Sequence, residues 1–101
     1  DYSFKDIFSR NLEALGKKND ILIAISTSGN SANIINVLKK AKKMNIKTIG
    51  FLGKSGGLAK KLCDQKILVP SKITARVQEI HIFLGHIIFE IVEDILIRNE
   101  K

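Results

Sequence analysis

The sequence is sparing with the residues that most often announce a function. Tryptophan is absent, proline, cysteine, methionine and tyrosine occur once each, and only three of the seventeen basic residues are arginine. A single cysteine, Cys63, excludes a disulfide framework and a thiolate metal cluster, and reads as a small core or surface thiol. No apolar run approaches the ~18 uncharged residues of a membrane span, and no basic, apolar and small-residue leader opens the chain. A cytoplasmic location and no membrane partner are expected. Low-complexity tracts are also missing, which together with 45% apolar residues excludes a disordered chain.

What is present fits one compact domain of 101 residues, with 27% charged side chains and a net charge of +7. Because the chain opens on Asp1, it is expected to be a trimmed piece of something longer. The positive charge is concentrated: ten lysines and one acid, Asp64, lie between Lys39 and Lys72. With arginine scarce and the six aromatics set in apolar contexts, stacking platforms are few, so a solvated lysine face is favoured and no nucleic-acid partner is expected. The same charge would steer an anionic metabolite.

Periodicity orders the elements. Ser3 can cap a helix through about Leu15, since Phe4, Ile7, Phe8, Leu12 and Leu15 recur at helical spacing and Gly16 follows as a stop. Ile21 to Ile25 is a continuous, β-branched apolar run that suits a strand covered on both faces. A second helix starts at Ser31, with Ile34, Ile35, Val37, Leu38 and Ala41 as its apolar stripe and lysines in its last turns. Lys47 to Leu52 reads as another buried strand. A short helix near Leu58 to Leu62 precedes a third strand, Ile67 to Val69, closed by Pro70. Strands alternating with helices imply a parallel sheet in a layered α/β domain. The last helix, about Thr74 to Arg98, carries a stripe from Val77 through Ile80, Phe83, Leu84, Ile87, Ile88 and Ile91 to Ile95, with further apolar residues off it. A helix apolar nearly all round is buried by neighbours, which points to an oligomer or to further chain.

Chemistry concentrates at three places. Ser26-Thr27-Ser28-Gly29-Asn30-Ser31 joins the end of a buried strand to a helix start, where free N–H groups and the helix dipole bind phosphate without a dedicated cation. The same residues also suit an ordinary turn with Ser31 as N-cap, and residue types alone leave both readings open. Neither GxGxxG nor a P-loop ending is present, so no nucleotide cofactor is expected. Gly53-Lys54-Ser55-Gly56-Gly57 follows the second strand and reads as a flexible turn, with Lys54 attracting anions at range. On the last helix, Gln78, Glu79, His81 and His86 form a polar inset. His81 and His86 lie about 140° apart in azimuth and lack the i,i+4 spacing of a helical zinc pair. Each therefore reads as a hydrogen-bonded structural histidine or as a general acid or base tuned by burial.

Ile25 to Ser31, Gly53 to Gly57 and Ala75-Arg76-Val77-Gln78-Glu79-Ile80-His81, together with the opening ten residues, resemble sugar isomerase (SIS) domains and among them the phosphoheptose isomerases. The resemblance runs across essentially the whole chain. It implies a three-layer, flavodoxin-like SIS domain with a parallel sheet, of which these residues are the carboxyl-terminal half or slightly more. The opening helices, first strand and a catalytic glutamate would precede Asp1, so the chain alone is expected to be inactive. The family's reaction converts sedoheptulose 7-phosphate to D-glycero-D-manno-heptose 7-phosphate through an enediol, toward the heptose of lipopolysaccharide. By position, the resemblance implies that Ser26, Thr27, Ser28 and Ser31 hold the phosphate and Asp1 contacts sugar hydroxyls. Gln78 would touch substrate or metal, and His86 would be the catalytic acid/base. In members that bind zinc, Gln78 and His86 would be ligands, with the others upstream. A homotetramer is implied as well. Ala75 stands where some members have aspartate. The alternative is a non-enzymatic SIS protein resembling the one that binds the bacterial replication initiator; His86 and Ser28 favour the enzyme, because a retained acid/base is expected only where protons move.

Overall fold

The computed structural model describes residues 4–100. A single 3-10 turn, Phe4–Asp6, leads into α1 (Ile7–Leu15), followed by β1 (Ile21–Ser26), α2 (Ala32–Lys43), β2 (Lys47–Gly53), α3 (Ala59–Leu62), β3 (Gln65–Val69) and α4 (Thr74–Glu100). The proposed Ser3 cap lies outside the described residues. Gly16 ends α1 as expected, its N–H donating to the Leu12 carbonyl at 2.7 Å. Its backbone is extended rather than left-handed (φ −80°), so glycine is required there by crowding: a Cβ would lie 2.8 Å from Ile46 Cδ1.

The three strands are parallel in the order β1-β2-β3, with Ser26 beside Leu52 and Leu52 beside Leu68. Alternation along the strands separates two faces. On one, Ala24, Leu52 and Leu68 meet Ile35, Leu38, Ala59 and Cys63 from the α2 and α3 layer. On the other, Phe51 and Gly53 meet α4 through His81 and Val77. The result is the expected three-layer α/β arrangement. Burial in the first core pushes the Cys63 thiol up from its ordinary range, and Gly50 opposite it leaves room for the sulfur.

Polar contacts tie the edges of the core together. The Asp64 carboxylate accepts the Thr48 N–H at 2.8 Å, and the Thr48 hydroxyl accepts the Asp64 N–H at 2.9 Å, joining the start of β2 to that of β3. Lys40 of α2 pairs with Glu13 of α1 at 2.9 Å and holds that carboxyl below its usual range.

One expectation about burial needs correction among the described residues. β1 is not covered on both faces: Ile21 and Ile25 are exposed, because β1 is an edge strand and α4 packs against β2 instead. Along the free edge of β1, Phe8, Leu12, Leu22, Ile25 and Ile34 line an apolar groove of about 460 Å³. On α4, Val77 and His81 are buried while Ile80, Phe83, Ile91 and Ile95 of the anticipated stripe are exposed. At ~1.5 Å per residue α4 extends about 40 Å, well past the end of a three-stranded sheet. No helix among the described residues is long and apolar enough to cross a membrane.

Candidate functional site

The serine-rich segment forms a closed turn at the carboxyl end of β1. Ser26 is buried as the last residue of the strand, and its hydroxyl oxygen accepts the Gly29 N–H at 2.9 Å. Ser28 Oγ accepts the Asn30 N–H at 3.1 Å. These short bonds curl the chain at residues 26 to 30 into a tight turn. The hydroxyl hydrogens of Ser26 and Ser28 remain free to donate, since each oxygen acts as acceptor in its bond. α2 then begins with Ser31 at its N-cap position in extended backbone (φ −63°, ψ 129°), yet the Ser31 side chain makes no cap bond. The N-cap position is as read from the sequence, whereas the hydroxyl is left available to a ligand. A helix N-terminus, serine and threonine hydroxyls and backbone N–H groups together make an anion site.

The glycine-rich loop after β2 is a brace for this turn, which corrects its reading as a flexible connection. The Gly29 carbonyl accepts the Ala59 N–H at 2.9 Å, and Asn30 Oδ1 accepts the Leu58 N–H at 2.9 Å. Gly29 is left-handed (φ 71°), and a Cβ on it would run into the Gly56 carbonyl. Gly57, also left-handed (φ 54°), would bring a Cβ within 2.6 Å of the Ser28 carbonyl. Asn30, Gly56 and Gly57, read from the sequence only as parts of their segments and given no role of their own, therefore shape the site. The signal for them was slight: an adjacent glycine pair after a strand marks left-handed backbone, but says nothing of its partner.

Lys54 and Lys72, with Ser55 and Pro70, line a recess of about 480 Å³ in the loops after β2 and β3, at the same end of the sheet as the serine turn. The cationic side chains raise the local potential for anions arriving there.

α4 reaches this end through its first turns. Gly53 is the meeting point, since a Cβ there would lie 2.7 Å from the Thr27 carbonyl and 2.6 Å from Val77 Cγ1. Gln78 follows Val77 and is exposed, as is His86. His81 is 3% exposed, with Nε2 2.9 Å from the Leu52 carbonyl oxygen. Of the two readings open for the histidines, His81 takes the structural one. The structure thus gathers Ser26, Thr27, Ser28 and Ser31 in one turn and leaves Gln78 and His86 on an open helix surface. Asp1 lies outside the described residues.

A tetrahedral zinc site takes four donors. Gln78 and His86 offer two, eight residues or about 12 Å apart along α4. No group of three His, Cys, Asp or Glu able to hold an ion occurs among the described residues. The described residues by themselves do not fit zinc.

The model of the SIS domain matches residues 1–53, which carry α1, β1 with its serine turn, α2 and β2. The chain belongs to the SIS domain family. Among curated relatives, the phosphoheptose isomerase of Clostridium acetobutylicum is 60% identical over 93 residues, covering 92% of this chain and 47% of the relative. That of Campylobacter jejuni serotype O:6 is 50% identical over 94 residues, covering 93% and 50%. Two solved structures agree in fold. The phosphoheptose isomerase of Neisseria gonorrhoeae superposes with a TM-score of 0.83 at 43% identity, covering 85% of this chain and 49% of that one. One from Francisella tularensis gives 0.87 at 36% identity, covering 90% and 49%. The chain spans about half the length of the curated relatives it matches.

Proposed function

We propose that these residues form the phosphate-binding turn and the histidine-bearing helix of an aldose–ketose isomerase that converts sedoheptulose 7-phosphate to D-glycero-D-manno-heptose 7-phosphate. The observation that carries this reading is the braced turn from Ser26 to Ser31. It offers hydroxyls and N–H groups to a phosphate, and the names of the relatives supply the sugar. The product would feed synthesis of the heptose of lipopolysaccharide.

In this reading the phosphate is held by Ser26, Thr27, Ser28, Ser31 and the first turn of α2, which fixes the far end of the substrate. The reaction moves one proton from C1 of the ketose to C2 and redistributes the hydroxyl proton between O2 and O1 through an enediol, with no net change in composition. A histidine suits this work because its ordinary pKa lies near neutrality, so it gives and takes protons at working pH. His86 is assigned that role, and Gln78 a hydrogen bond to the sugar. A carboxylate from a part of the protein beyond this sequence would be the partner base.

Ser28 gives the direct test of the phosphate placement. Ser28→Leu in the full-length protein is expected to remove sugar-phosphate binding in calorimetry while leaving the circular dichroism spectrum unchanged, because an isobutyl group crowds the turn and donates no hydrogen bond. Unchanged affinity would contradict the placement.

The exposed apolar surface of α4 supports an oligomer, and a homotetramer is proposed. Burying Phe83, Ile91 and Ile95 against other subunits would stabilise the assembly by roughly 1.5–3 kcal/mol for each side chain fully covered. Light scattering of the full-length protein is expected to give a four-subunit mass, and a stable monomer would overturn the proposal.

A further inference from the structure

We infer that His81 is a positioning residue: its hydrogen bond to the Leu52 carbonyl sets the roll of α4 about its axis and thereby the directions in which the exposed Gln78 and His86 project. The inference rests on the proposed isomerase reading for its functional consequence, and on geometry for its mechanism.

Three positions on α4 meet the sheet, and they stand four residues apart. Val77 lies against Gly53, His81 against Phe51 and the Leu52 carbonyl, and a Cβ on Gly85 would meet the Phe51 ring at 3.8 Å. Spacing of four residues per contact makes one line along the helix. Gln78 and His86 each follow a member of that line by one residue, and relative to His81 at its middle they stand about 60° and about 140° around the helix, on the same side. His81 lies midway between its ends and supplies the one hydrogen bond in it. Val77 and Gly85 contribute apolar contact, which resists separation but has little directional preference.

The bond itself is directional. A carbonyl oxygen only accepts, so Nε2 carries the proton, and Nδ1 is buried with no partner among the described residues. The ring is held further by Phe51, with centroids 5.8 Å apart and planes inclined at 43°. Leu52 precedes Gly53, which touches the Thr27 carbonyl, so the bond ties α4 to the backbone beside the serine turn. A side chain ~5–6 Å from the helix axis moves about 2 Å for a roll of about 20°. Displacement of even ~1 Å at reacting groups costs about 100-fold in rate. His81 and His86 therefore divide the work, one orienting the helix and the other exposed to move protons.

The experiment compares His81→Gln with His81→Asn in the full-length protein. The glutamine amide nitrogen reaches the position of Nε2 and can donate to Leu52, whereas the shorter asparagine stops near Nδ1. With sedoheptulose 7-phosphate, H81N is expected to lose about 10- to 100-fold in kcat with KM changed by less than about threefold, and H81Q to recover to within about fivefold of wild type. Equal turnover in both variants, or a loss confined to KM, would overturn the inference. An inactive wild type would instead overturn the isomerase reading. In that case the Nε2–H proton resonance of His81 decides the anchoring on its own: slow exchange with solvent supports it, and fast exchange contradicts it.

Discussion

His86→Gln is expected to lower kcat by about 10²- to 10⁴-fold, the usual contribution of a positioned general acid or base. Glutamine keeps a similar reach and hydrogen-bonding capacity but has no titration near neutral pH, so it removes proton transfer while preserving shape. His86 is exposed on α4 and belongs to neither core. The thermal midpoint should therefore hold, and so should the affinity for sugar phosphate, which is assigned to the serine turn. The check is a kcat and KM determination on the full-length variant beside a calorimetric titration. Turnover near the wild-type level would remove His86 from the proton-transfer role.

The second large effect concerns the brace. Gly29→Ala is expected to destabilise the protein by about 2–5 kcal/mol, combining the cost of a left-handed alanine with that of overpacking against the Gly56 loop. The loop is poorly able to retreat, since it is itself pinned by the Ala59 N–H to the Gly29 carbonyl and by Leu58 N–H to Asn30. Denaturant unfolding measures this directly. Sugar-phosphate affinity should fall in the same variant even where it remains folded, because the turn must open to admit the methyl group. A Gly29→Ala protein with wild-type stability would mean that the two loops are not coupled.

The order of elements was legible because each strand and helix carries its own period. Ile21 to Ile25, Lys47 to Leu52 and Ile67 to Val69 became strands, lengthened by Ser26, Gly53, Gln65 and Lys66, polar or glycine residues with no apolar signature. The serine turn was legible too, as hydroxyl residues between a strand and a helix. What covers a surface was not. The β-branched run in β1 is equally apolar whether or not its outer face is covered, and here Ile21 and Ile25 stay exposed. The stripe on α4 likewise says only that something should cover it. The contact between Gly29 and Gly56 joins residues 27 apart in sequence, and such pairings leave no periodic trace. Asn30 is of this kind, since its hydrogen bond to Leu58 N–H follows from how two loops meet.

The central claim, that the serine turn and the His86-bearing helix serve a sugar-phosphate isomerase, is tested most directly by turnover. The full-length protein is incubated with sedoheptulose 7-phosphate and the mixture followed by NMR for the aldose. The account predicts that D-glycero-D-manno-heptose 7-phosphate accumulates toward equilibrium at a rate proportional to enzyme concentration. Persistence of the ketose unchanged, with a folded protein and saturating substrate, would contradict it.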